Sequence, residues 1–523
     1  MSDAPTSRPR ASRIPFVAAL LAGSMLLSRG LGLVREIVLA GQLGAGPDVD
    51  AYRAAFQIPD ILNHLLAGGA FAVAFVPFYL RVRESRGGAA ATRLIATAFG
   101  TLTGIALLAT AGLWVYAEPL VALQFPHFAP ETQAQTVRLT RIVLPAQIFF
   151  VAGGLVRAVL MAHDRFAMQA LAPLVYNAGI IGGGLLLGGT LGAEGFAWGV
   201  LVGAAVGTLL LPLVDLRRAG LTLGVRFAPQ DSDFLAYLWR AAPLILGLSL
   251  LTVDEWYDKW FGALLAEGTV AQIGYARMLM LLPVSVVGQA VATAALPALS
   301  QLASEGRGQA LDRTLLRILQ PSLMLAAVLA GGIWALADPL VALLFERGAF
   351  TPQDTLRVAA LLSVFCFGIP GWVVQQVAGR GFYAREDMWR PMFLSTAIAL
   401  VAIPLYLAFG RRFGAPGIAA AGALAMSVSA LLLLVMLRVL HGGPPLAPLA
   451  GVLPRALAVA LPAALAGAWA TGFAAAPLTR CLCGGLAFVL VTVPGTWWLG
   501  DAATREVLNG VWRRLRRGAG VNG

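Results

Sequence analysis

The residues able to do chemistry in this chain are ionisable side chains set inside apolar runs. Ser28-Arg29-Gly30-Leu31-Gly32-Leu33-Val34-Arg35-Glu36 puts two guanidiniums and a carboxylate into one such run. Arg29 and Glu36 lie seven residues apart, nearly two helical turns, so they share a face. The next run opens with Asp50 and Arg53 and holds Asp60, Asn63 and His64. A third contains Asp254, Glu255, Asp258 and Lys259, the chain's single lysine, and Arg277 follows in the run after it. Glu255 and Lys259 are spaced i,i+4 with the acid first, the favourable order for an ion pair. An ionisable group at the bilayer centre costs about 2.5–3.5 kcal/mol on insertion scales, and those that persist face a cavity or a partner. Arginine grips phosphate oxygens through paired N–H donors. Arg29, Arg35 and Arg277 around one cavity would suit a diphosphate, with Asp50, Glu36 and His64 beside them. Asp254, Glu255, Asp258 and Lys259 read as a cavity charge network or an ion-coupling site, with Na+ at Asp254 or Asp258. The competing explanation is that these charges pair with one another and hold helices together, with His64 a hydrogen-bonded interior histidine.

The surroundings of those charges are oily. Of 523 residues, 59% are apolar and 12% charged, against about 25% charged in a soluble protein. That excludes a soluble enzyme, a disordered chain, a collagen-like fibre and a disulfide-stapled secreted domain. Cys366, Cys481 and Cys483 offer neither a disulfide framework nor metal-ligand spacing. A helix needs about 20 apolar residues to cross a bilayer. That ruler predicts an all-α integral membrane protein with fourteen spans. The first six lie near 14–43, 51–80, 93–123, 134–162, 167–190 and 194–216. The rest lie near 234–265, 269–302, 312–345, 354–381, 388–410, 415–440, 453–473 and 481–512. Short alternating strands of a closed barrel are missing from the pattern. Arg8, Arg10 and Arg13 precede a run that continues into a full span, which predicts a retained helix rather than a cleaved signal.

The formal charge of +12 would suit nucleic acid if it were clustered. Instead Arg81, Arg83, Arg86 and Arg93, then Arg165, Arg217, Arg218 and Arg226, fall in alternate joins, as do Arg307, Arg313, Arg385 and Arg390. Loops 44–50, 188–196 and 264–273 have no Lys or Arg. The positive-inside rule therefore predicts both termini in the cytoplasm and no nucleic-acid partner.

The chain also repeats itself. Trp114 and Glu118-Pro119-Leu120-Val121-Ala122-Leu123 recur 220 residues on as Trp334 and Asp338-Pro339-Leu340-Val341-Ala342-Leu343. Phe75-Val76-Pro77 is answered by Ala295-Leu296-Pro297, and Arg157-Ala158 with His163-Asp164-Arg165 by Arg380-Gly381 with Arg385-Glu386-Asp387. An even number of spans separates the copies, so they share one orientation, as parallel transporter repeats do. The layout is two six-helix pseudo-symmetric lobes, 14–218 and 234–440, enclosing a central cavity, followed by two extra helices, 453–512. Such lobes suit alternating access. Without a P-loop, a strand-borne glycine motif or a catalytic constellation, the expectation is a transporter with no cofactor. It would be driven by Na+, H+, the membrane potential or the substrate gradient.

Ser28-Arg29-Gly30-Leu31-Gly32 with Arg35-Glu36, then Gly44-Ala45-Gly46, Asp50-Ala51, Pro59, Gly69-Ala70-Phe71 and Ala74-Phe75-Val76-Pro77 resemble the opening of the MurJ/MviN family of lipid II flippases. The likeness continues through Asp164-Arg165-Phe166, Ala172-Pro173, Asn177, Tyr275-Ala276 and Leu296-Pro297 to Gly381-Phe382-Tyr383-Ala384-Arg385. It implies a multi-pass protein of the bacterial cytoplasmic membrane that carries the undecaprenyl-diphosphate-linked peptidoglycan precursor from the inner to the outer leaflet. Arg29 and Arg35 match the family's cavity arginines, and Asp50 matches an acid at the mouth of span 2. By the same resemblance, helices 453–512 would form a groove for the lipid tail, with wall-synthesis enzymes as possible partners. The chain departs from the family pattern at His64, Gly68, Arg277-Met278 and Leu281. Those departures keep two alternatives open: a flippase for another polyprenyl-linked oligosaccharide, and a non-transporting scaffold for wall synthesis.

Overall fold

The computed structural model describes residues 14–66, 70–246 and 250–518, and all the regular structure in them is helical. Within apolar surroundings a chain must satisfy its own peptide groups, and helices do so locally. The molecule divides into two compact units, 1–246 and 247–523.

The first unit runs α1 (Ile14–Leu43), α2 (Pro47–Ala55), α3 (Gln57–Leu66), α4 (Ala70–Arg86), α5 (Gly88–Val115), α6 (Ala117–Gln124), α7 (Pro130–Val143), α8 (Ala146–Ala162), α9 (Ala167–Leu191), α10 (Ala193–Gly203), α11 (Leu211–Arg218) and α12 (Ser232–Leu246). A π-helical turn, Ala204–Leu210, joins α10 to α11. The second runs α13 (Leu250–Gly262), α14 (Thr269–Pro283), α15 (Ala290–Ser304), α16 (Gly308–Ala335), α17 (Ala337–Phe345), α18 (Pro352–Cys366), α19 (Ile369–Tyr383), α20 (Trp389–Phe413), α21 (Ala415–His441), α22 (Leu446–Ala450), α23 (Val452–Thr471), α24 (Pro477–Leu499) and α25 (Ala502–Gly518).

Among the described residues, nine helices are long and apolar enough to cross a membrane, or eleven if two bent pairs each count as one span. The bends are 41° between Thr269–Pro283 and Val287–Ser304 and 46° between α18 and α19. The expected runs 14–43, 51–80 and 234–265 are not among them. These runs carry the internal charges other than Arg277, and the last two are built from shorter helices. Gly68 and Gly69, in the second of them, lie outside the described residues, as do Arg8, Arg10 and Arg13. The expected run 481–512 is also two helices. It breaks at Gly500-Asp501, where the Asp501 carboxylate accepts from the Thr504 N–H at 2.8 Å, a side-chain N-cap. The α25 helix beyond is strongly basic.

The repeat is visible in the backbone. α5 and α16 are both 28 residues long, and Gly88 and Gly308, which open them, are again 220 apart. Asp164 and Glu386, at matching joins, are the non-glycine residues with positive φ among the described residues, at 58° and 59°. Gly192 and Gly414 share a second left-handed join, at φ 55° and 65°. One boundary differs from the expected lobes. Phe234, Tyr237 and Ala241 of α12 bury in the first unit's core with Phe75, Phe78 and Tyr79, and the Phe75 and Tyr237 rings meet edge to face at 5.4 Å. The aromatic side chains of 232–246 thus hold that segment to the first unit rather than to the second.

Lipid tails are as apolar as leucine, so close packing must supply what a hydrophobic force cannot. α9 and α10 show how. A Cβ on Gly183 would meet the Gly195 carbonyl at 2.5 Å, and one on Gly199 would meet that of Gly179 at the same distance. By contrast Gly30, Gly32 and Gly182 face open space.

Candidate functional site

In the first unit the charged residues of α1 and α2 are drawn onto one carboxylate. α1 presents Arg35 and Glu36 side by side, and the turn after Leu43 brings α2 back so that Arg53 reaches the same acid. Glu36 is buried; its Oε1 accepts from Arg35 Nη2 at 2.9 Å and its Oε2 from Arg53 Nη2 at 2.6 Å. Arg35 also donates through Nη1 to Asn177 Oδ1 of α9 at 3.4 Å. Asn177 is oriented in turn by the Pro173 carbonyl, to which its amide donates at 3.0 Å. Asp50 is buried on α2, while Arg29 on α1 and His64 on α3 are half-buried. Two guanidiniums sharing one carboxylate inside a helical unit is an arrangement with affinity for a further anion.

The second unit concentrates its charge on Arg277 of α14. This buried guanidinium donates from Nη1 to Asp254 Oδ2 at 2.7 Å and from Nε to Asp258 Oδ2. Asp254 and Asp258 lie one turn apart on α13, so both aim at the same point. Tyr406 of α20 donates its hydroxyl to the other oxygen of Asp254. The Phe365 and Trp372 rings cover the guanidinium, 5.2 and 6.0 Å from its carbon. Gly422 of α21 leaves room for the cluster, since a Cβ there would meet both Asp254 Oδ1 and the Tyr406 hydroxyl at 2.8 Å. Arg277 Nη2 and Asp258 Oδ1 find no hydrogen-bond partner among the described residues. Lys259 Nζ lies 3.4 Å from Glu255 Oε1, in the spacing read from the sequence.

The structure thus brings together Arg35 with Glu36, Arg277 with Asp254 and Asp258, and Glu255 with Lys259. Sequence reasoning read Asp254, Glu255, Asp258 and Lys259 as a cavity charge network or an ion-coupling site and gave Arg277 to a diphosphate; here Arg277 pairs with Asp254 and Asp258 across the turn between α13 and α14. Among the described residues no group of three or more His, Cys, Asp or Glu could hold a metal. Sequence reasoning missed Tyr406, because a tyrosine in an apolar run carries no signal of its own. It also placed Arg53 only at the entrance to a span. The order Asp50–Arg53 on a short helix following a glycine turn could have pointed back to Glu36.

The second unit also holds an apolar cavity of about 620 Å3. It is walled by α16, the join of α18 and α19, α21, α22 and α23, through residues such as Ala327, Trp334, Pro370, Leu434, Leu453 and Leu457. Of the two C-terminal helices expected to form a groove, α23 lines this space and α24 does not.

A family model described as lipid II flippase MurJ matches residues 39–481 of this chain. A probable lipid II flippase MurJ of Rhizobium meliloti (strain 1021) is 31% identical over 428 residues, covering 80% of this chain and 79% of the relative. The lipid II flippase MurJ of Burkholderia cenocepacia (strain ATCC BAA-245 / DSM 16553 / LMG 16656 / NCTC 13227 / J2315 / CF5610) is 27% identical over 430 residues, covering 80% and 82%. Among solved structures, a lipid II flippase MurJ in an inward closed conformation superposes with a TM-score of 0.77 at 22% identity, over 92% of this chain and 100% of that one. An inward-facing multidrug resistance MATE family transporter of the MOP superfamily follows at 0.68 and 14%, over 82% of this chain and 98% of that one. At these identities the structural likeness speaks to the fold.

Proposed function

This chain belongs to the lipid II flippase MurJ family, and on that premise we propose how it moves the undecaprenyl-diphosphate-linked peptidoglycan precursor from the inner to the outer leaflet. The observation that carries the proposal is the pair of guanidiniums, Arg35 and Arg53, held on the single carboxylate of Glu36 within the first unit. A diphosphate entering beside them competes for donors already aimed and partly desolvated. Arg29, six residues earlier on α1, adds a third. On this reading Glu36 keeps the arginines extended and soluble in their apolar setting until the substrate arrives, and takes them back when it leaves. Alternating access between the two lobes then carries the headgroup across, while the prenyl tail stays in contact with apolar surface. The 620 Å3 space beside α23 has the lining such a tail needs.

Both termini lie in the cytoplasm on this reading, as the arginine distribution predicts. Coupling to Na+, H+ or the membrane potential belongs to the same proposal. Moving one elementary charge through the field is worth about 2.3 kcal/mol per 100 mV, enough to bias the passage of an anionic headgroup.

The test is complementation in a bacterium depleted of its own flippase. The wild-type chain restores wall synthesis, whereas Arg35→Ala and Glu36→Gln, expressed at equal level in the membrane, do not. If both variants complement like wild type, the paired arginines do not carry substrate and a scaffolding role takes precedence. Accumulation of a different lipid-linked glycan on depletion of this chain would redirect the cargo.

A further inference from the structure

The first unit holds a second arginine-based pocket, which shares Pro173 and Tyr176 with the surroundings of Arg35. The geometry points to Arg157 of α8 as the base of a small pocket that binds a phosphate group, from a lipid headgroup or free in solution.

Four observations meet there. The pocket holds about 190 Å3 and is lined by Phe150, Arg157, Gln169, Pro173, Tyr176 and Thr208, a volume below the range of pockets built for whole organic ligands and suited to a single small group. Arg157 is half-buried in a helix of the apolar bundle. It donates from Nη1 to the Thr208 carbonyl at 3.1 Å, and no carboxylate pairs with it among the described residues. Asp215, on the neighbouring α11, is paired with Arg165. An arginine has five N–H donors in a planar fork, so the one bond to Thr208 leaves Arg157 donors to offer to the pocket it lines.

The backbone is shaped to present it. Thr208 sits in the π-helical turn Ala204–Leu210, a distortion that costs regular hydrogen bonding and clusters at functional sites. The turn lies so close to α8 that a Cβ on Gly153 would come within 1.7 Å of the Thr208 carbonyl. Glycine there is what lets one guanidinium nitrogen dock on the turn and fixes the direction of the rest. Phe150 and Tyr176, packed edge to face at 5.4 Å, wall one side and lower the local dielectric, which strengthens a charge-assisted bond. The repeat-related Arg380 is placed differently, with its guanidinium 5.6 Å from the Tyr383 ring.

Arg157 lies five residues before the end of α8, at the end of the bundle where Arg165 and the α11 arginines Arg217 and Arg218 emerge. That is the depth at which lipid phosphates of the basic-loop side would reach it.

The experiment uses the purified full-length chain in a neutral detergent. Its thermal midpoint is titrated with phosphatidylglycerol in one series and with inorganic phosphate in another, and bound lipid is counted by native mass spectrometry. The wild type is stabilised by at least one probe, and Arg157→Gln raises the half-saturating concentration of that probe at least tenfold. Arg157→Lys, which keeps the charge and loses the fork, falls between them and stands in if the glutamine variant does not fold. Stabilisation by the lipid alone assigns the site to a headgroup; stabilisation by both probes assigns it to the free anion as well. If neither probe stabilises the wild type, or if the variants titrate like it, the proposal is overturned. These readouts are independent of flipping, so the result stands apart from the substrate assignment.

Discussion

Arg277 shows what a buried charge costs and what it is worth. Taken alone, a guanidinium in this setting would be expelled; held by Asp254 and Asp258 and covered by Phe365 and Trp372, it is stable where it stands. Removing one partner of such a group typically costs about 3–5 kcal/mol, because the other charge is left stranded. Arg277→Met, which strands two acids, is therefore expected to lower the thermal midpoint of the purified chain sharply. Asp258→Asn leaves one acid on one arginine and is expected to cost much less. Equal losses in a fluorescence melting curve would show that the two acids do not share the arginine. This pairing was not legible beforehand. Rules for side-chain pairs along a helix reach three or four residues, and they do find Glu255 with Lys259. Arg277 is 19 and 23 positions from its acids, across a turn whose direction no local spacing encodes.

At the level of helices, the sequence was most informative where apolar runs are unbroken. α9, α20 and α21 fall close to the expected spans because length and hydropathy decide them, whereas the expected spans 93–123 and 312–345 each break into two helices, α5 with α6 and α16 with α17. It was least informative where charges enter a span, since there the backbone breaks into pieces such as α2, α3 and α4, and a sliding average passes over the break. The joins carry their own chemistry. Asp387, between α19 and α20, accepts from His441 Nε2 at 3.0 Å and from Arg390 Nη1 at 2.9 Å. Burial pushes this carboxyl up, but the hydrogen bonds from His441 and Arg390 outweigh it and hold it below the usual carboxylate range. A depressed acid contributes stability that is fully present above its unfolded pKa, about 3.9, and is lost as pH falls through the folded value. The clamp between the α19–α20 join and the end of α21 is thus expected to hold at neutral pH and loosen only in acid below about 4. Hydrogen exchange at 384–390, compared with Asp387→Asn, measures it: the variant should exchange at neutral pH as the wild type does in acid. A wild-type profile that loosens between pH 5 and 7 would contradict the assignment.

Considered as a whole molecule, the chain's two compact units repeat one helix order, and that order was readable from Trp114 and Trp334 and their Pro-bearing neighbours. The apolar space beside α23 was not, because a void is a property of packing and leaves no residue pattern. Its lining predicts its use. Ala327→Trp would fill part of the cavity without adding charge. The expected result is a chain that reaches the membrane and melts near the wild-type temperature yet complements poorly, because the tail has lost its berth. Full complementation would mean that the space is a packing defect of no consequence to transport. The mutation is diagnostic because overpacking a tight core costs about 1–3 kcal/mol, whereas filling a real vacancy should cost little.

The single lysine has a practical sequel. Lys259 is 9% exposed and lies against Glu255 on α13, so amine-directed dyes and cross-linkers should leave the interior of the folded chain untouched. Any condition that turns α13 outward would announce itself as new labelling at one known atom. The sequence has thereby furnished its own reporter for movement beside Arg277, and no foreign residue need be introduced to read it.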